Sequence, residues 1–443
     1  MKLTINRFQF MVLFVMLYVF RTFFGLSKLF YGDSDINRDA LQTYLIGLKF
    51  YTTHNWPYFG PDQYDLTTGF HFQIAGALEG LMVGLPFYIR SIPEAPFLFL
   101  NLLSLTALAL LAWYLSQKFQ NLSLTFIFVW LALMPWTLNQ STHVFNVSYL
   151  LFGSVVFFLG FFEAVPEFSN QWLSPDWAFA LMGFGLFWDM QFHQSWVLLM
   201  PFIGGAWFWR RRSKLASKGE LLGFILGSIL PFDCLLPTLL QYGILKPGGG
   251  LAHAATLFHF DNFKMVLTIL ARYLSLPSFE MPRFMGGSTA ERWAFLLQIP
   301  FVIPVAFFLI LVGWVQPFVL LLYPWFEEKA FWVRRWYGLA MSGFLLVWVC
   351  FWFSTTGPSA HMYYVLMPMV AAYSFAVWDQ LAVKSFARGL AVVCIFASLW
   401  FQTGAACQQI SGDSLYQDRD RIVQAIQKKD YQLLAPRRPW VIY

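Results

Sequence analysis

Runs of about twenty apolar residues recur along most of this chain, separated by short polar stretches, and such runs predict helices long enough to cross a bilayer. Read in order, they predict eleven membrane helices. The first spans 8–30; the next run at 96–117, 122–138, 148–165, 177–190, 195–209, 220–240, 293–323 and 336–354; two more end near 384 and 403. Between the first two lies a loop, 31–95, whose segments 36–54 and 70–90 read as helices lying at the membrane interface. The piece Pro57-Tyr-Phe-Gly-Pro-Asp62 between them reads as turn. A second long loop covers 241–291, long enough to act as a mobile lid. The fold class is therefore all-α and polytopic, with residues 1–403 as one membrane domain and 404–443 as a short tail holding one amphipathic helix.

Positive charge orients the bundle. Lys2 and Arg7 precede the first helix, and Trp209-Arg-Arg-Arg-Ser-Lys214 follows the sixth. Inner-face loops carry excess Lys and Arg. Holding 70–90 outside places both groups in the cytoplasm, whereas a span there would put Arg210–Arg212 outside. The same parity puts all seven histidines, with Asp189, at or just beneath the outer face. Arg21, inside the first helix, is expected to snorkel outward. No small-residue cleavage site follows the first helix, which reads as retained.

Composition agrees with the pattern. Of 443 residues 58% are hydrophobic, 20% aromatic and 12% charged, and the net charge of +6 is accounted for by inner loops without any nucleic acid. The four cysteines show no metal spacing and no disulfide framework.

Candidate chemistry starts at Gly32-Asp-Ser-Asp-Ile-Asn-Arg-Asp39, where three acids and an arginine meet the end of the first helix. Charge beside hydrocarbon is costly and marks a functional site by default. One of these acids can cap the following helix, but a cap needs one acid and not three. Polar groups gathered on one face suit neither a channel, which strings them through the membrane, nor a repeat-built transporter. They suit an enzyme that takes a lipid substrate from the outer leaflet.

Four stretches carry a family resemblance: Gly32–Leu41 followed by Trp56-Pro-Tyr-Phe-Gly-Pro61; Met134-Pro-Trp with His143-Val-Phe-Asn146; Met190-Gln-Phe-His-Gln-Ser195; and His361-Met-Tyr-Tyr-Val-Leu-Met-Pro368. In these the chain resembles the GT-C superfamily of membrane glycosyltransferases, in the bacterial branch around the lipid A aminoarabinose transferase and the protein O-mannosyltransferases. The resemblance implies transfer of a sugar from a polyprenyl-phosphate donor to a glycan, lipid or protein acceptor at the outer face of a bacterial inner membrane. It implies Asp35 as catalytic base, with Asp39 in reserve. Arg38, Asp33, Asn146, His143, Gln191, His193, His361, Tyr363 and Tyr364 become the substrate-binding set. Asn146 stands where the family often has a second acid. No cofactor is required, although Asp33 and Asp35 have the oxygen ligands to hold a divalent cation. A carrier or flippase for lipid-linked sugars is the alternative; it would need the phosphate contacts but no base.

Overall fold

The computed structural model describes residues 6–27, 35–65, 70–215, 217–243, 258–279, 288–326, 331–353, 360–410 and 414–434, with side chains except at 35–40, 62–65, 70–72 and 414–418. About 81% is helical, in 17 α-helices among the described residues, with one two-stranded sheet. The first half runs α1 (Arg7–Leu26), α2 (Asp35–Thr53), β1 (Phe59–Asp65), β2 (Phe70–Ala75), α3 (Leu78–Ile89), α4 (Ala95–Lys118), α5 (Leu124–Leu133), α6 (Pro135–Gln140), α7 (Leu150–Ala164) and α8 (Pro175–Asp189). The second half runs α9 (Met200–Arg212), α10 (Lys218–Tyr242), α11 (Val266–Ser275), α12 (Thr289–Gln298), α13 (Ile303–Phe326), α14 (Phe331–Phe351), α15 (Met367–Leu381), α16 (Ser385–Ile410) and α17 (Ser414–Lys428).

The all-α expectation holds apart from that sheet, and two details of the sequence reading are corrected. First, the pieces read as turn (57–62) and as the start of a helix (70–75) pair as an antiparallel hairpin, Phe59 opposite Ala75 and Asp65 opposite Phe70. Phe70, Phe72 and Ile74 alternate with His71 and Gln73, a period of two that suits a strand and no helix. Secondly, the helix expected over 122–138 is two. Met134 is extended (φ −64°, ψ 139°), and Pro135 opens α6. A residue before proline is driven out of the helical region, while proline itself sits well in a first turn. Among the described residues six helices are long and apolar enough to cross a membrane, by length and composition: Arg7–Leu26, Ala95–Lys118, Asn146–Ala164, Lys218–Tyr242, Pro300–Phe326 and Ser385–Ile410. The others are short, as α8 and α15 are at 15 residues each, or begin on charge, as α14 does with Arg334 and Arg335.

Glycine sets the closest helix contact. Gly223 and Gly227 of α10 face the Asp176 and Ala180 carbonyls of α8, where an added Cβ would come within 2.1 and 1.9 Å of the oxygens. Small residues four apart let two backbones touch. α7 closes on the other side of α8, with Gly185 against the Gly153 carbonyl. Large apolar side chains stay exposed on the opposite faces, among them Met11, Val15 and Val19 of α1, Leu222, Ile225 and Ile229 of α10, and Phe307, Leu311 and Trp314 of α13.

The long loop at 241–291 is not free throughout. Its described part is pinned to the end of α14: the His259 amide donates to the Trp352 carbonyl (2.7 Å) and Asn262 Nδ2 to the Phe351 carbonyl (2.6 Å). The apolar face of α11, with Ile269, Tyr273 and Leu274, is buried. The tail helix α17 buries Ile422, Ala425 and Ile426. Its Arg419 meets Glu94, at the start of α4, at 2.5 Å.

Candidate active site

The site assembles where five connections meet. The α8 helix ends at Asp189, and the turn after it carries Gln191, Phe192 and His193. Gln191 Nε2 donates to the Phe187 carbonyl (3.1 Å) and to the Pro231 carbonyl of α10 (2.7 Å). The Gln191 side chain also lies against Gly76, which has φ +130°; a Cβ there would stand 2.4 Å from Gln191 Cγ. This glycine joins the hairpin to α3, and the neighbouring Ala77 amide donates to the Cys234 carbonyl (3.3 Å). The first outer loop is thereby fastened to both α8 and α10.

His193 caps the 3₁₀ turn Gln194–Leu199. The Ser195 amide donates to its Nδ1 (3.1 Å), and the Ser195 hydroxyl is 2.9 Å from the same atom. An Nδ1 that accepts an amide proton leaves the ring proton on Nε2. His361, from the connection before α15, stands edge-on to His193 with ring centres 6.0 Å apart. Burial pushes His193 down to about 3, with His361 adding to the effect, and burial pushes His361 down to about 4. Both are neutral at physiological pH.

On one side of this pair Phe192 stacks on Tyr149 at 5.2 Å, and the Glu79 carboxylate is in electrostatic reach of the Tyr149 hydroxyl. Glu79 is fully buried and accepts a hydrogen bond from Thr43 Oγ1 of α2 (2.8 Å). On the other side Trp136 Nε1 donates to the Ala360 carbonyl (3.3 Å), and its ring meets Tyr363 at 6.2 Å and Tyr364 at 5.5 Å. Both tyrosines are fully buried. The Tyr364 hydroxyl faces Ser141 and Arg21.

Of the expected set, Gln191, His193, His361, Tyr363 and Tyr364 lie on the connections just described. His143 stacks on Phe145 (4.4 Å), next to Asn146, whose Oδ1 accepts the Val147 amide (2.9 Å) and starts the turn leading into α7. Asp33 lies outside the described residues. Asp35, Arg38 and Asp39 open α2, and their side chains lie outside the described set. Positions 35, 39 and 43 follow one another at four-residue spacing, so α2 carries them in one row toward the Thr43–Glu79 contact. Among the described residues no three His, Cys, Asp or Glu gather into a metal site.

The sequence reading assigned no role to Glu79, Thr43 or Tyr149. A lone acid inside the apolar run 70–90 was the available signal for Glu79. Arg21 corrects an expectation outright. It does not snorkel but is fully buried, with Nε on Asn101 Oδ1 (3.1 Å), Nη1 on the Ala132 carbonyl (2.8 Å) and Nη2 on Ser141 Oγ (2.8 Å). It ties α1 to α4, to α5 and to the turn after α6.

Two buried acceptor or donor atoms in this region, the Tyr149 hydroxyl and Gln191 Oε1, have no protein partner among the described residues. Buried polar atoms are normally bonded, so each of these two calls for a partner such as an ordered water or a bound polar group. Comparison with family models, curated proteins and solved structures returns no match.

Proposed function

We propose that this chain is an integral membrane glycosyltransferase of GT-C type, moving one sugar from a polyprenyl-phosphate donor to an acceptor hydroxyl at the outer face of a bacterial inner membrane. The supporting observation is that Glu79 of α3, Tyr149 of the turn before α7, Gln191 and His193 after α8 and His361 before α15 come together, with the Tyr149 hydroxyl and Gln191 Oε1 unpartnered among the described residues. The acceptor oxygen attacks the anomeric carbon, the bond to the lipid phosphate breaks, and the hydroxyl proton passes to Asp35. Arg38 meets the leaving phosphate through its two-pronged donor geometry. The neutral His193–His361 pair supplies N–H donors to the sugar without adding charge. Glu79, held by Thr43, is a positioning residue that sets α2 against α3.

Asp35→Asn tests the reading. It keeps shape and capping power but accepts no proton, and loss of a positioned base costs on the order of 10²–10⁴ in rate. The variant should bind a short-chain polyprenyl-phosphate sugar normally and transfer almost none. Transfer near the wild-type rate would remove Asp35 as base. A wild-type protein that moves the lipid across vesicles but transfers no sugar would establish the carrier instead.

A further inference from the structure

Away from the polar site, α7, α9 and α14 enclose a cavity of about 760 Å³. Its walls are almost wholly apolar, with Phe161, Phe202, Leu345 and Val349 among them, and it opens sideways between exposed apolar helix faces. From Arg335 to Val349 helix α14 rises about 21 Å at 1.5 Å per residue. One leaflet of hydrocarbon is about 15 Å deep, half of a 30 Å core. The groove is thus long enough for the acyl chains of a lipid from a single leaflet.

The two charged residues that line the cavity lie at one end. Arg335 lines the cavity there, its guanidinium 4.7 Å from the centre of the Phe331 ring. Glu167 lines it too, and its Oε2 is buried without a protein partner among the described residues. That they share one end follows from their neighbours: Phe168 packs on Trp336 at 4.6 Å. Trp209 closes the same end, where Arg210 of α9 reaches the Ala164 carbonyl (3.4 Å) and Glu220 (2.6 Å). A cation and a carboxylate with a spare acceptor, at one end of an apolar trough, complement a headgroup that carries a phosphate and an ammonium.

We infer that this groove is a binding site for a zwitterionic aminophospholipid, phosphate on Arg335, ammonium on Glu167 and chains along α9 and α14. The site is separate from the transfer chemistry and rests only on the placement of the helices in a membrane.

Glycine supplies a test that spares the fold. Gly205 lines the groove, and a Cβ there meets nothing within 4 Å; the same holds for Gly389 on α16, away from the groove. The purified full chain is delipidated in detergent and exchanged into nanodiscs holding equal dioleoyl phosphatidylethanolamine and phosphatidylglycerol. Native mass spectrometry after release then counts the retained lipid. Wild type and Gly389→Phe should each keep one phosphatidylethanolamine, at least tenfold over phosphatidylglycerol. Gly205→Phe and Arg335→Ala should lose it, and Glu167→Gln should lose the preference. Retention unchanged in Gly205→Phe, equal retention of phosphatidylglycerol by wild type, or no retention by wild type would each overturn the site. None of these outcomes depends on sugar transfer, so failure here leaves the glycosyltransferase reading standing.

Discussion

Replacing Gly227 by alanine asks whether α8 and α10 truly meet at their backbones. Two opposed effects bear on the outcome. Alanine is favoured over glycine in a helix by at most about 1 kcal/mol. Against this, the new Cβ would stand 1.9 Å from the Ala180 carbonyl oxygen. An ordinary contact needs roughly 1.5 Å more, and the obstacle is backbone rather than a side chain that can swing away. Overpacking of this kind costs about 1–3 kcal/mol. The net effect should be a loss of about 1–2 kcal/mol. Gly389→Ala provides the opposite case, since its Cβ meets nothing within 4 Å, and should be neutral or stabilising. Unfolding midpoints in detergent, taken at one scan rate because such unfolding is often irreversible, should move in opposite directions. The reach of the change is functional as well. α10 supplies the Pro231 and Cys234 carbonyls that hold Gln191 and Ala77, so Gly227→Ala should also weaken sugar transfer. A midpoint that rises as much in Gly227→Ala as in Gly389→Ala would refute the backbone contact and the reasoning built on it.

Three further outcomes can be checked. Glu163 accepts from the amides of Asn170 (2.7 Å), Trp172 (2.8 Å) and Leu173 (3.1 Å) and from the Tyr114 hydroxyl (2.8 Å); Glu163→Gln turns a donor toward donors and should cost roughly 1.5–3 kcal/mol, read as faster hydrogen exchange over 169–173. His193 and His361 have folded values near 3 and 4, below the ordinary 6.5. The unfolded chain therefore binds more protons as pH falls, so stability should be full above about pH 6.5 and decline toward 3; His193→Gln should flatten that decline, and identical pH profiles for both proteins would count against it. Reporters fused after Arg212 and after Lys264 should read cytoplasmic and external respectively, as the basic run at 210–214 requires.

Much of the helical order was legible because apolar runs have a length and a period. The expectation at 96–117 lands on α4, and the one at 220–240 on α10. What escaped was set by single residues acting against that background. Pro135 splits a run that hydropathy averages into one helix. The alternation Phe70-His71-Phe72-Gln73-Ile74 is too short to stand out beside the apolar stretch that follows it. At the candidate site, His193 and His361 were conspicuous as polar residues in connections, and the structure sets their ring centres 6.0 Å apart. Glu79 and Arg21 were harder, because their value lies in partners far along the chain: Thr43 for one, Asn101 and Ser141 for the other. Burial of a charge is decided by tertiary neighbours, and hydropathy along one helix carries no record of them.

The contact between the tail and the first loop bears on the order of biosynthesis. Helix α17 and the turn after it lie against α2, and Arg419 reaches back to Glu94. At about 5–20 residues per second, α2 emerges from the ribosome tens of seconds before the segment that covers it. During that interval α2 stands with part of its packing surface still unmade. A late-translated helix thus covers an early one, so a nascent chain released before α17 would leave that part of α2 unpacked.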